Sequence, residues 1–264
     1  MNLGIAGKRA LVTGSTAGIG LATAEALARE GAEVCLNGRT TERIQAASMR
    51  IRACAANAQV KGYAADLSSA AGCADLIEAL PEVDILVSNF GIFEPRAFGE
   101  ITDGEWLRFF EANVLSGIRL ARHYLQGMRR GNWGRIVFVS SESAVQIPVE
   151  MIHYGVTKTA QLAVARGLAE TLTGTGVTVN CVLPGPTASE GVERFVATLA
   201  RERGVDGVTV EREFFRTARP SSILQRFAQP AEVAALIAYT CSALASATTG
   251  AALRVDGGVV RAIV

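Results

Sequence analysis

A chain of 264 residues with 49% hydrophobic and 19% charged residues has enough apolar side chain to fold around a large core, which excludes a disordered chain. Its 26 basic residues against 25 acidic ones leave a net charge of +1, with no basic run to track a phosphate backbone, so nucleic acid is not an expected partner. Five cysteines, Cys35, Cys54, Cys73, Cys181 and Cys241, form no C-x-x-C pair. They suggest neither a disulfide framework nor a metal site, and the N-terminus does not read as a signal peptide, so the expected location is cytoplasmic.

Short apolar runs alternate with amphipathic stretches along nearly the whole chain, the pattern of repeated βα units. In order, the sequence predicts a strand over 9–13, a helix over 18–30, a strand over 32–36, a helix over 40–56, a strand over 60–64 and a helix over 70–80. A strand over 84–88 follows, then a helical stretch over 103–130 whose internal break the pattern does not fix. A strand over 135–140, a helix over 152–173 and a strand over 177–182 come next. A helix over 231–243 and a strand over 251–255 complete the chain. The strands are apolar on both faces, as in parallel sheets covered by helices on either side. This predicts one α/β domain over 1–264, a doubly wound Rossmann-type fold with seven parallel strands. Residues 189–222 are dense in arginine and glutamate and read as an excursion from the sheet. Residues 233–253 carry no charge, but Ala, Ser and Thr dominate them and Thr249-Gly250 interrupts them, so no membrane span is expected.

Directly after the first strand, Thr13-Gly14-Ser15-Thr16-Ala17-Gly18-Ile19-Gly20 opens the first helix. Glycines there let the backbone turn tightly against a pyrophosphate, whose charge then lies among the unpaired N–H groups of the helix N-terminus. Gly14, Ser15, Gly18, Ile19 and Gly20 are the candidate phosphate contacts. An acidic residue at the end of the second strand would grip the adenosine ribose, but Asn37-Gly38-Arg39-Thr40 supplies none. Arg39, with Thr40 and Ser15 nearby, suits a 2′-phosphate instead, which favours NADP while leaving NAD possible. Further on, Tyr154 and Lys158 stand four apart in a predicted helix and share a face. A tyrosine titrates near 10 and becomes a useful acid–base group beside a cation. Lys158 is one of only three lysines in the chain. Both histidines, His123 and His153, read as packing or surface residues.

With these motifs the chain resembles the short-chain dehydrogenase/reductase family over essentially its whole length. Thr13 to Gly20 matches T-G-x-x-x-G-I-G, and Tyr154 with Lys158 matches Y-x-x-x-K. Ser141, thirteen residues before Tyr154, stands where the family places its catalytic serine, and Asn113 matches its helical asparagine. Asp66-Leu67 resembles the adenine contact, Pro184-Gly185-Pro186-Thr187 the loop beside the nicotinamide, and Val255-Asp256-Gly257-Gly258 the C-terminal signature. The family's N-N-A-G reads Ser88-Asn89-Phe90-Gly91 here; Asn89 and Gly91 keep the pattern, whereas Phe90 replaces a small residue. The resemblance implies reversible hydride transfer between NADP(H) and a carbonyl carbon. In it Tyr154 is the proton donor, Ser141 holds the carbonyl oxygen, Lys158 lowers the Tyr154 pKa, Tyr154 and Lys158 meet the nicotinamide ribose, and Asn113 positions a water. It also implies a lid near 189–222 and association as a homodimer or homotetramer through 103–130 and 152–173.

The substrate is less legible. Phe93, Glu142, Gln146, Met151 and Ile152, with Phe195, Phe214 and Phe215 from the lid, are candidate pocket residues and suit a ketone or secondary alcohol of moderate size. Two alternatives are a 3-oxoacyl thioester reductase, for which Arg129 and Arg130 offer some basic surface, and a catalytically silent dinucleotide-sensing protein.

Overall fold

The computed structural model describes residues 2–263, the side chain of Phe195 excepted. Seven strands, β1 (Arg9–Val12), β2 (Glu33–Gly38), β3 (Val60–Ala64), β4 (Ile85–Ser88), β5 (Gly134–Val139), β6 (Val177–Pro184) and β7 (Ala252–Val255), form one sheet in the order β3-β2-β1-β4-β5-β6-β7. Every pairing is parallel. The chain winds outward from β1 in one direction and then from β4 in the other, so the crevice between these two strands is where their loops part.

Successive residues of each strand feed opposite layers. Val12, Val34, Val87 and Val137 point to a core shared with Leu27 of α1 (Gly18–Arg29), Ile44 and Ile51 of α2 (Thr41–Cys54) and Val233 and Ile237 of α9 (Pro230–Thr240). Leu11, Leu86, Ile136 and Val179 face the other side, against Leu76 of α3 (Ala70–Ala79), Leu120 and Tyr124 of α5 (Ser116–Arg130) and Ala165 of α6 (Ile152–Glu170). Full burial of each large aliphatic side chain is worth about 1.5–3 kcal/mol, which is why these strands read as unbroken apolar runs.

Two stretches differ from the sequence expectation. The helical region 103–130 divides into α4 (Asp103–Phe110) and α5, joined without a loop by a wide π turn over Glu111–Leu115. That turn holds Asn113. The uncharged run 233–253 is shared between α9, a short 3₁₀ turn over Ala243–Ala245 and β7, and no helix among the described residues is long and apolar enough to cross a membrane.

The excursion after β6 is itself helical. In α7 (Glu190–Arg203), capped by Ser189, none of the described side chains is buried. In α8 (Gly207–Thr217), capped by Asp206, Val210 and Phe215 are buried. Phe215 stacks with Phe214 and Phe227 at centroid separations of 5.2 Å. The charge density of 189–222 predicts few apolar anchors, which holds for α7 and fails for α8, whose aromatics form a small core of their own. Local opening costs least where little apolar surface is buried. Backbone amides of α7 should therefore exchange faster than those of α8, and α8 faster than β6; α7 protected as well as β6 would contradict this.

Candidate active site

The glycine loop is built by steric necessity. Gly14 and Gly18 adopt φ of +59° and +55°, the left-handed region that glycine enters without strain. A Cβ on Gly20 would lie 2.4 Å from the Gly14 carbonyl oxygen and 2.6 Å from Asn89 Nδ2. No side chain caps α1, and no acidic residue occupies its first turn, so the orphan N–H groups of that terminus face the loop unpaired by any side chain. Asn89 braces the loop from β4, donating Nδ2 hydrogen bonds to the carbonyls of Thr13 (3.0 Å) and Gly14 (3.1 Å). Phe90 donates its N–H to Thr13 Oγ1 at 2.9 Å and packs its ring on the core beneath α3 and α5; its bulk is absorbed by that core.

Beyond β2, Gly38 leaves no room for a larger residue: its Cβ would meet Thr16 Cγ2 at 2.5 Å. Arg39 is exposed, with no hydrogen bond or ion pair among the described residues, whereas Arg43 is engaged with Glu190 at 3.4 Å. Ser15 and Thr40 do not join Arg39 as expected. Ser15 is buried, its Oγ accepting from the Asn37 N–H at 3.0 Å, and Thr40 caps α2 by accepting from the Arg43 N–H. Asp66 is exposed and accepts from Ser68, while Leu67 belongs to the core. At the far end, Gly185 N–H reaches the Val255 carbonyl and Thr187 Oγ1 donates to the Gly185 carbonyl, so Pro184, Gly185 and Thr187 form a loop fastened to the chain's C-terminal signature. Ile19 is half-buried, packed on the core beside α1.

Ser141, at the end of β5, and Tyr154 and Lys158, on the first turns of α6, converge beyond the C-terminal ends of β4 and β5. Phe93 stands edge-on to Tyr154 at 6.3 Å. Gly91 lets the loop after β4 come close: a Cβ there would lie 3.1 Å from Asn113 Oδ1 and 3.6 Å from Lys158 Nζ. Burial pushes the Tyr154 phenol well above its ordinary value, and the Glu142 carboxylate pushes it the same way, against weaker opposition from the Ser141 hydroxyl and Arg219. Lys158 is not among the groups that move it. Its Nζ lies 5.6 Å from the centre of the Tyr154 ring and donates instead to the Val139 carbonyl at 3.0 Å and to Gln161 Oε1 at 3.3 Å. Burial draws this ammonium down to about 8.

Asn113 also differs from expectation. Its Oδ1 accepts from the Ile92 N–H at 2.7 Å, and Nδ2 donates to the Ile92 carbonyl and Thr157 Oγ1, each at 3.0 Å. Both amide protons are used within the protein, so the side chain is a brace between the loop after β4 and α6. Its main-chain carbonyl, turned aside by the π turn, accepts from Gln161 Nε2 at 2.5 Å. Gln161 thus bridges Asn113 and Lys158. Sequence reading missed it, although a polar residue three positions after Lys158 in an apolar stretch was a legible signal. Arg219, buried against Glu142 at 3.3 Å and Glu150 at 3.0 Å, carried no local signal.

Of the remaining pocket candidates, Gln146 donates to Ser221 Oγ at 3.3 Å, Met151 and Ile152 are half-buried at the start of α6, and Phe195 lies outside the described side chains. His153 is buried against Phe109 at 4.0 Å, a packing residue.

The profile of the short chain dehydrogenase family matches residues 8–200. The chain belongs to this family. It is 48% identical to a Bacillus subtilis (strain 168) protein named "Uncharacterized oxidoreductase YvaG", over the full length of both. It is 31% identical to a 3-oxoacyl-[acyl-carrier-protein] reductase of Aquifex aeolicus, covering 98% of this chain and all of the relative. Among solved structures, L-sorbose reductase from Gluconobacter frateurii, complexed with NADPH and L-sorbose, superposes with a TM-score of 0.94 over the full length of both chains at 31% identity. The uncapped α1 terminus, the close-approach glycines and the unpaired Arg39 fit a phosphorylated dinucleotide.

The Lys158 shift carries a stability consequence. Its folded value near 8 lies below the ordinary 10.5, so between these values the unfolded chain binds more protons and stability rises with pH. The stability difference between ligand-free wild type and Lys158→Met should move in favour of wild type as pH rises from about 8 to 10.5, by up to about 3 kcal/mol at 1.36 kcal/mol per pKa unit. Denaturant unfolding across that range measures it, and a difference independent of pH would contradict the buried-lysine account.

Proposed function

We propose that this protein is an NADP(H)-dependent oxidoreductase that interconverts a ketone and a secondary alcohol. The observation that carries the reading is the convergence of Ser141, Tyr154 and Lys158 beside an uncapped glycine-loop helix. When bound, the nicotinamide supplies the hydride for the carbonyl carbon and takes it back in the reverse direction. Gly14, Gly18, Ile19 and Gly20 hold the pyrophosphate through backbone N–H groups, and Arg39 pairs with the 2′-phosphate. Asp66 and Leu67 flank the adenine, Asn89 and Gly91 keep the loop after β4 in place, and Pro184, Gly185 and Thr187 bound the nicotinamide side.

In reduction Tyr154 donates its phenolic proton to the carbonyl oxygen while Ser141 holds that oxygen, fixing the direction of attack. At neutral pH the Tyr154 phenol is protonated, the form that reduction requires. Lys158, pinned by Val139 and Gln161, reaches the nicotinamide ribose, and Asn113 braces the frame. The likeness to a reductase complexed with NADPH and L-sorbose supports a hydroxylated ketone as substrate. The basic surface that a carrier protein would require is reduced by the pairing of Arg130 with Glu82. The excursion 189–222 serves as the substrate lid, and the outer faces of 103–130 and 152–173 serve in self-association.

Two measurements test this. Tyr154→Phe should lower kcat on a panel of ketones, ketoses and alcohols by 100-fold or more, with the Kd for NADPH within a few-fold of wild type. A variant keeping more than a tenth of the rate would assign the proton elsewhere, and intact cofactor binding without turnover of any panel member would favour a sensing protein. In titrations, charge-assisted bonds of about 1.5–3 kcal/mol should make wild type favour NADP over NAD by one to two orders of magnitude, and Arg39→Ala should erase most of that preference. Equal affinities in wild type would sink the NADP assignment.

A further inference from the structure

Ser141 has one hydroxyl proton to give. Its Oγ donates that proton to Glu142 Oε2 at 2.5 Å and accepts from the Ser143 N–H at 3.1 Å. The distance is that of a charge-assisted bond to a carboxylate. Glu142 is in turn held by Arg219, whose Nε lies 3.3 Å from Oε1, and both side chains are below a tenth exposed. Arg219 follows α8, at the inner end of the excursion. Its Nη1 also reaches Glu150 Oε1 at 3.0 Å and the Ala218 carbonyl at 2.8 Å, and Phe214 lies 5.8 Å from its guanidinium. A buried cation from the lid segment therefore rests on the carboxylate that holds the serine proton.

We propose that Arg219 is a positioning residue that acts on Ser141 through Glu142, so that the serine proton becomes available to a substrate oxygen only when the lid segment is seated. The proposal rests on the catalytic reading of Ser141 given above. A ketone oxygen is a weaker acceptor than a carboxylate, so a bare Glu142 outcompetes it for the single serine proton. A guanidinium in contact draws on the carboxylate charge and weakens that hold, so that an incoming ketone oxygen can compete for the proton that Glu142 still keeps in the seated, substrate-free site. If the segment lifts, Arg219 leaves, the buried carboxylate loses its cation, and the serine proton stays with Glu142. The same ion pair favours closure, because a buried charge without its partner is strongly destabilised. Lid position and serine orientation are thus one equilibrium, with Glu142 common to both.

This arrangement predicts that one substitution repairs another, which a purely structural fastening would not do. Arg219→Gln should lower kcat tenfold or more, with the KM for NADPH within twofold, because Glu142 then keeps the proton. Adding Glu142→Gln removes the competing charge, and the double variant should recover at least threefold of the lost kcat. Glu142→Gln alone should, in the ligand-free protein, speed amide exchange across 207–219 at least tenfold. Arg219→Lys, which keeps a cation on Glu142, should remain closer to wild type than Arg219→Gln and serves if the latter does not fold. Arg203→Ala, breaking an exposed pair with Glu213 in the same segment, should change neither kcat nor exchange at 207–219 by more than twofold. A double variant as slow as Arg219→Gln, a rate unaffected by losing Arg219, or unchanged exchange in Glu142→Gln would each overturn the proposal. The exchange measurement needs no turnover, so failure of the catalytic reading with Tyr154→Phe stays separable from failure of the coupling.

Discussion

Thr13 and Asn89 stitch together the ends of β1 and β4 at the point where the winding of the sheet reverses. Thr13 Oγ1 accepts from the N–H groups of Asn89 and Phe90, each at 2.9 Å, and the Asn89 amide returns two bonds to the Thr13 and Gly14 carbonyls. Two strands that parallel pairing would merely align are thereby tied at their tips, and the glycine loop has no freedom left at its root. Everything that follows depends on that tie. The N-terminus of α1 is aimed by it, and the chain leaving β4 is directed toward Gly91, where it meets Asn113 and Lys158.

From there the site is organised by what burial demands of charges and amides. Lys158 sits in a pocket that disfavours its charge, and its protons go to the Val139 carbonyl and Gln161. Gln161 spends its other end on the main-chain carbonyl that the π turn exposes at Asn113. Wide turns of this kind often mark functional positions, and here the Asn113 carbonyl within the turn accepts the Gln161 amide. Buried polar groups require partners, and this network joins β5 and the π turn to α6, which carries both Lys158 and Gln161.

Much of the fold was legible in the sequence because its signals are local. Apolar runs, glycine punctuation and the four-residue step from Tyr154 to Lys158 each act within a few residues, and all seven strands follow from them. The family and its oxidoreductase chemistry follow likewise. What escaped was non-local. Whether Lys158 touches the Tyr154 hydroxyl or the Val139 carbonyl depends on how α6 lies against β5, which no spacing encodes. The occupancy of Asn113 by Ile92 and Thr157 depends on three segments meeting. Phe214 and Phe215 looked like pocket walls because their partner, Phe227, is distant in sequence. Arg219 was one arginine among many until the fold carried it to Glu142.

The crowding at Gly38 has a consequence for how such a chain can change. A carboxylate placed there to grip a ribose would need its Cβ where Thr16 Cγ2 now stands, and a β-branched residue has few rotamers into which to retreat. The substitution would therefore meet resistance unless position 16 had first become smaller, at no immediate gain to cofactor choice. The order of mutational steps is thus biased by a single methyl group: an acid at position 38 is accommodated more easily once the residue at 16 is smaller or has turned its methyl aside.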